Sequence, residues 1–313
     1  MRSKGFGFLL SLTLVGLLIL MWAALAMTTD SFLTPNNIDN LMRQASLIAI
    51  IAIGQTFVII TAGIDLSVGA VVGLTSVVVA LLLKSEVPIL LAVPLTVMVG
   101  MAIGAVNGFG IANLGLPPFI MTLAGLTAWR GVALLITDGL PVSGLPRAFT
   151  GFSRGEFIGI PYLFWAVIAV AIPAYLLLHH GRWGRYIFAV GSNQEAARLS
   201  GVPVKRTIYL AYIISGGCAG IVGVLAASRL SLGMATTGNM WELESIAASV
   251  IGGASLFGAV GSVVGPFLGA MLLATIKQGA NLLNVNAFWQ LIITGFLIVV
   301  IVYFDQLRRR KSK

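Results

Sequence analysis

Long apolar runs separated by short polar breaks fill the chain. The first covers 6–27 and is followed by the polar segment TTDSFLTPNNIDN. The next covers about 41–83 and is interrupted only at AGIDLS. A membrane-crossing helix needs ~20 apolar residues, so this run is long enough for two spans and too long for one. KSEVP ends it. Further runs occupy 88–106, 119–136, 162–178, 208–227, 243–256, 263–276 and 288–304. The pattern predicts an all-α, polytopic membrane bundle of about ten transmembrane helices. The 243–256 run is the weakest of them, because Gly252, Gly253 and Gly258 lower its helix propensity.

Composition strengthens this reading. The chain has 313 residues, 58% hydrophobic and only 9% charged, with a mean hydropathy of +1.01. Soluble domains carry roughly 25% charged residues, so lipid must cover what polar side chains here do not. A transmembrane barrel would instead show short alternating strands. The net charge of +9 would point to nucleic acid in a soluble protein. Here the basic residues cluster at span ends, which follows the positive-inside rule, and no nucleic-acid partner is expected. The single cysteine, Cys218, excludes an internal disulfide and cysteine metal clusters. The first run follows Arg2 and Lys4 and is longer than a cleaved signal core, so it reads as a retained helix.

Charge also orients the spans. With about ten, both termini share a side. Arg2, Lys4, the closing RRRKSK and the segment carrying Arg182, Arg185, Arg198, Lys205 and Arg206 then fall together. The other side holds Asp30, Asp39, Glu86, Asp138, Glu156, Glu242 and Glu244. Both termini, and AGIDLS, are thus expected in the cytoplasm. The chain reads as one permease domain, 1–313. A weak internal repeat at about 41–137 and 206–305 rests on AIGQTFVIITAG and VIGGASLFGAVG, where Gly54 matches Gly252. Glycines recur at helical spacing at 69 and 73, at 100, 104 and 108, at 216 and 220, and at 261, 265 and 269. Such spacing lets backbones approach closely.

The chemistry of an enzyme is missing. The chain has no Walker motif, no HExxH and no Ser/His/Asp set placed for nucleophilic catalysis, so no catalytic or metal residue is assigned. His179 and His180 close a span beside Arg182 and read as interfacial. Arg130, Arg229 and Lys277 lie toward the outer helix ends, where long side chains snorkel to water. Ion-coupled carriers place ionisable groups inside their spans. These spans are nearly uncharged, which favours a neutral polar solute over ion-coupled secondary transport, the rival reading. Gln55, Asn107, Asn113 and Thr122 are candidate passage residues, with interhelical hydrogen bonding as the alternative. In AGIDLS, Gly63 is suited to closing one helix in the left-handed conformation. Asp65 or Ser67 is suited to capping the next near the inner boundary.

One inner segment is polar, GSNQEAARLSGVPVKR. Ser192 or Asn193 caps a short helix there, Glu195 sits in its first turn, and Gly201 with Pro203 ends it. Together with GQTFVIITAGIDLSVGAVVGL, LPPFIMTLAGLTAWRGVALLITDG and FLTPNNIDNLMRQ, this segment resembles the permease subunits of ribose-type sugar importers. These belong to the ATP-binding-cassette transporters. The resemblance spans most of the chain in the expected order. It departs at Ala62, where the family often has a second glycine before Gly63. The resemblance implies a multi-pass protein of the bacterial inner membrane that pairs with a second copy of itself. It implies a cytoplasmic ATPase that carries the ATP and Mg, with no cofactor in this chain. It also implies a periplasmic or lipid-anchored binding protein that delivers a monosaccharide or related polyol. By the same resemblance, 192–202 is the helix that couples to the ATPase, a role carried onto Asn193, Glu195, Ala196, Ala197, Ser200 and Gly201.

Overall fold

The computed structural model describes residues 2–312; Met1 and Lys313, the chain ends whose side is expected above, lie outside them. The order is α1 (Arg2–Thr28), α2 (Pro35–Ile60), α3 (Val68–Lys84), α4 (Ile89–Ala112), α5 (Pro118–Leu135) and α6 (Arg147–Phe152). A small hairpin follows, β1 (Glu156–Phe157) and β2 (Ile160–Pro161), then α7 (Tyr162–Tyr175). Pro173 lies inside α7, which continues as a π turn, Leu176–His180. The chain closes with α8 (Arg182–Ser192), α9 (Gln194–Leu199), α10 (Val204–Leu230), α11 (Trp241–Ile251), α12 (Val264–Leu282) and α13 (Ala287–Ser312).

Local sequence explains these boundaries. Pro35 and Pro118 open α2 and α5, where a missing N–H removes no helical bond. The second half of α2, IAIIAIGQTFVII, is apolar nearly all round, and all of it is buried. A helix with no polar face belongs in the centre. Against α2 pack α10, α12, α11 and α7. Glycines set the closest crossing, between α4 and α10. A Cβ on Gly216 would overlap the Gly100 carbonyl oxygen, and one on Gly104 would overlap the Tyr212 carbonyl oxygen. The glycine spacing noted in 100–108 and 216–220 thus serves helix on helix. On the outside, α1 packs on α12, with Trp22 Nε1 donating to Thr275 Oγ1 at 3.1 Å.

Every apolar run contains a helix. Among the described residues, five are long and apolar enough to cross a membrane: Pro35–Ile60, Ile89–Ala112, Pro118–Leu135, Tyr162–His180 and Val204–Leu230. Val68–Lys84 is apolar and shorter, at 17 residues. The least regular is α11. Its eleven residues rise only ~16 Å, about half the hydrocarbon thickness. The helix stops at Gly252, whereas the matching stretch of α2 stays helical through Ile60.

The bundle has two distinct ends. At one, α8, α9, the loop at 252–263 and Asp305 gather around the end of α2. At the other, Arg43 Nε donates to Asp39 Oδ2 at 2.6 Å, and its Nη2 reaches the Arg154 carbonyl at 3.2 Å and Glu156 at 3.5 Å. Asp39 and Glu156 thus lie at the start of α2 and α8 lies at its end, while Glu242 and Glu244 belong to neither end. These two are buried in the first turn of α11.

Candidate functional site

The turn that splits α2 from α3 is built in two steps. Ala62 N–H donates to the Ile59 carbonyl at 2.9 Å, and Gly63 N–H to the Val58 carbonyl at 3.1 Å. This pair of bonds closes α2 as a Schellman motif. The left-handed residue is Ala62, with φ 61, and not Gly63 as expected. Gly63 is small for another reason: a Cβ there would lie 2.7 Å from Tyr212 Oη.

The chain then climbs back into the bundle. The Gln55 amide, oriented to suit its neighbours, pairs with both backbone groups of Asp65, at 3.2 and 3.1 Å. Gln55 lies five residues before α2 ends, so Asp65 sits ~7.5 Å inside that end by helical rise. It is 1% exposed. The carboxylate expected near the inner boundary thus lies inside the bundle, beside α2, rather than at the tip of the turn. Asp65 Oδ1 accepts from Ser67 N–H at 3.0 Å and Ser67 Oγ at 2.6 Å, and Oδ2 accepts from Ser215 Oγ at 2.8 Å. The Ser67 side chain makes no cap bond to the backbone of α3. It donates to Asp65 and accepts from Asn107 Nδ2 at 2.9 Å.

Three of the candidate passage residues meet at this turn. Besides Gln55 and Asn107, Thr122 Oγ1 lies 3.2 Å from the Ile64 carbonyl, which also accepts from Tyr212 Oη at 3.2 Å. Gln55, Asn107 and Thr122 are all buried and bonded to or across the turn. Asn113 stands apart, exposed at the C-cap of α4. Sequence reasoning missed Ser215 and Tyr212, since a serine and a tyrosine in a long apolar helix carry no positional signal.

The polar segment folds as expected of a capped helix. Asn193 Oδ1 accepts from Ala196 N–H at 2.9 Å. Gly201, at φ 80, and Val202 close α9 by donating to the Arg198 and Ala197 carbonyls, each at 3.0 Å. Ala197 is the one buried residue of α9, while Gln194, Glu195, Ala196, Arg198 and Leu199 are exposed, as is Ser200 behind it. Arg198 pairs with Glu195 at 2.6 Å. Its hydrogen bond and charge hold the Glu195 carboxyl below the usual carboxylate range, and Arg198 is raised in turn. Leu199 leaves 74% of its surface open.

This helix is tied to the turn through α8. A Cβ on Gly191 would overlap the Ile60 carbonyl oxygen. The same oxygen accepts from Ala259 N–H at 2.9 Å. The 252–263 loop is held from its other side by Asp305, whose Oδ2 accepts from Leu256 N–H at 3.0 Å and Ser255 Oγ at 3.2 Å. One short path thus links exposed α9, the end of α2 and the buried turn.

Of the three cations placed toward helix ends, Arg130 and Lys277 are held by partners. Lys277 pairs with Glu244. Arg130 Nη1 donates to the Ala235 and Thr237 carbonyls, the latter at 3.0 Å. Arg229, half-buried, lies in the field of Arg43 and Asp39. No group of three or more His, Cys, Asp or Glu able to hold a metal occurs among the described residues.

The family pattern described as branched-chain amino acid transport system / permease component matches residues 37–302. The chain is 40% identical over 300 residues to the ribose import permease protein RbsC of Bacillus subtilis (strain 168), covering 95% of this chain and 92% of that one. It is 39% identical to the D-allose transport system permease protein AlsC of Escherichia coli (strain K12), over 90% and 87%. It is 34% identical to the xylose transport system permease protein XylH of the same strain, over 99% and 96%. No solved structure matches the chain.

Proposed function

Because the chain belongs to this family of transport permease components, we propose that it is the membrane-spanning subunit of an ATP-driven, binding-protein-dependent importer. Its cargo is a monosaccharide or related polyol. The observation that carries the reading is the near full-length similarity to ribose, allose and xylose permeases. The bundle lies in the bacterial inner membrane with the α9 end and both termini in the cytoplasm. Two copies form the passage between them. A cytoplasmic ATPase supplies ATP and Mg, and a periplasmic or lipid-anchored protein delivers the solute.

In this account α9 is the coupling helix. Its exposed residues present Asn193, Glu195, Ala196, Ser200 and Gly201 to a groove of the ATPase, while buried Ala197 anchors it to the bundle. Movement of α9 reaches the Asp65 turn through Gly191 and Ile60. The turn and its partners Gln55, Asn107 and Thr122 act as the moving seal of the passage.

An ion-coupled carrier is the second reading. The Glu244–Lys277 pair favours it, because paired ionisable groups inside a bundle mark ion pathways. One variant separates the two. Gly201 has open space around it but a φ of 80 that strains any side chain, so Ser200→Trp, on its exposed neighbour with ordinary backbone, adds bulk only where a partner docks. Co-purification of the ATPase and sugar-stimulated hydrolysis in liposomes should both fall at least ~10-fold, a loss of ~1.4 kcal/mol in docking. Unchanged docking and stimulation would defeat the coupling role of α9.

A further inference from the structure

The polypeptide between α10 and α11 does not stay at the surface. Residues 231–240 run down the side of α3 in irregular backbone. Gly233 pairs with Val142 near the outer end. Ser76 Oγ then contacts the Met234 carbonyl at 3.1 Å. One turn deeper, a Cβ on Gly73 would overlap the Ala235 carbonyl oxygen and lie 2.5 Å from Arg130 Nη1. Another turn deeper, one on Gly69 would overlap Glu242 Oε2 and the Gly238 carbonyl oxygen. The Gly69 and Gly73 spacing therefore receives a descending loop and two charged side chains rather than a helix. From Ser76 to Gly69 the descent is ~10 Å by helical rise. The short helix α11 begins there, midway through the bundle, and runs on to the α9 end.

Irregular backbone at membrane depth is tolerated only inside protein or along a water-filled cavity. Thr236 and Asn239 of this segment are exposed. At the start of α11 two polar atoms are buried without a partner, Thr237 Oγ1 and Glu242 Oε2. Their residues are only 5% and 7% exposed. Arg130 stands beside them, bonded to the carbonyls of Ala235 and Thr237. Hydroxyl-rich solutes offer both donors and acceptors. They match an unpaired carboxylate oxygen, an unpaired hydroxyl, an amide and a guanidinium carried by this segment and its neighbours within about a helical turn of α3 from Gly73 to Gly69.

We propose that the descending segment and the start of α11 form the wall of the solute passage, with Arg130, Thr236, Thr237, Asn239 and Glu242 as the groups that hydrogen-bond a passing polyol. This assignment rests on the transport reading and adds the residues that line its route. It moves the lining away from Gln55 and Thr122, which are bonded to the Asp65 turn, and from Asn107, whose Nδ2 bonds Ser67 beside that turn while its Oδ1 is buried without a partner.

Single cysteines placed at Thr236, Asn239 and the exposed apolar position Ile172, in a Cys218→Ala background, test the wall. The reagent is a charged thiosulfonate, applied in nanodiscs. Thr236→Cys and Asn239→Cys should react at least ~10-fold faster than Ile172→Cys. A second arm measures uptake of radiolabelled D-ribose, D-allose and D-xylose into liposomes holding the full transporter. Asn239→Leu and Thr237→Val should lower uptake at least ~5-fold at unchanged melting temperature. Equal reactivity at the three cysteines, or full uptake by both variants, overturns the proposal. If the wild type carries none of the sugars, the transport reading fails, and the labelling contrast alone then decides whether the segment faces water.

Discussion

Replacing Asp65 separates a carboxylate that holds a turn from one that carries charge for transport. Three hydrogens converge on it, from Ser67 N–H, Ser67 Oγ and Ser215 Oγ. Asp65→Asn keeps Oδ1 and both Ser67 bonds, and its amide then faces Ser215, whose hydroxyl can turn to a helix carbonyl. Bonds to charged groups contribute about 1.5–3 kcal/mol and neutral ones about 0.5–1.5 kcal/mol, so the loss is about 1–3 kcal/mol. Asp65→Leu leaves a buried N–H and two hydroxyls without their acceptor. A stranded buried group costs about 1–3 kcal/mol, and rotation rescues the hydroxyls in part, so the loss is about 3–6 kcal/mol. The assay is thermal unfolding of purified protein together with monodisperse yield. Asp65→Asn should remain folded and transport-active, with Asp65→Leu well below it. Equal destabilisation by both variants would refute the hydrogen-bond account. A folded Asp65→Asn with no transport would show that the charge itself is needed.

Ala62→Gly should raise the unfolding midpoint, because a left-handed alanine costs roughly 1 kcal/mol that glycine does not; a lowered midpoint would contradict the strain at this position. Lys277→Met strands the buried Glu244 carboxylate and should destabilise by about 3–5 kcal/mol. Adding Glu244→Leu should restore most of that loss in the same unfolding assay, and failure of the double variant to recover would refute the pairing.

Helix positions were legible because apolar runs longer than a single span must be cut, and AGIDLS was the only polar break in 41–83. The Asn193 cap and the end of α9 at Gly201 were legible from local chemistry alone. Depth was not. The position of Asp65 depends on Gln55 and Ser215, which meet it from distant elements. The descending segment at 231–240 has the serine, threonine, glycine and asparagine content of a surface loop. Only the contacts with Gly69 and Gly73 reveal that it enters the bundle. A glycine pair announces close approach and does not say what approaches. For the same reason Gln55, Asn107 and Thr122 read from sequence either as passage lining or as interhelical bonds, and only their partners at the Asp65 turn distinguish the two. Glu242 and Glu244 looked like outer-side charges because the half-length of α11 is hidden by the apolar residues that follow it.

The central claim is ATP-driven sugar import. Its most direct measurement is uptake of radiolabelled D-ribose, D-allose and D-xylose into liposomes that contain this chain, its ATPase and its binding protein. Accumulation of at least one sugar above the external concentration, only with ATP and Mg on the ATPase side and unaffected by collapsing proton and sodium gradients, is the predicted result. Accumulation without the ATPase, driven by an ion gradient, would contradict the account.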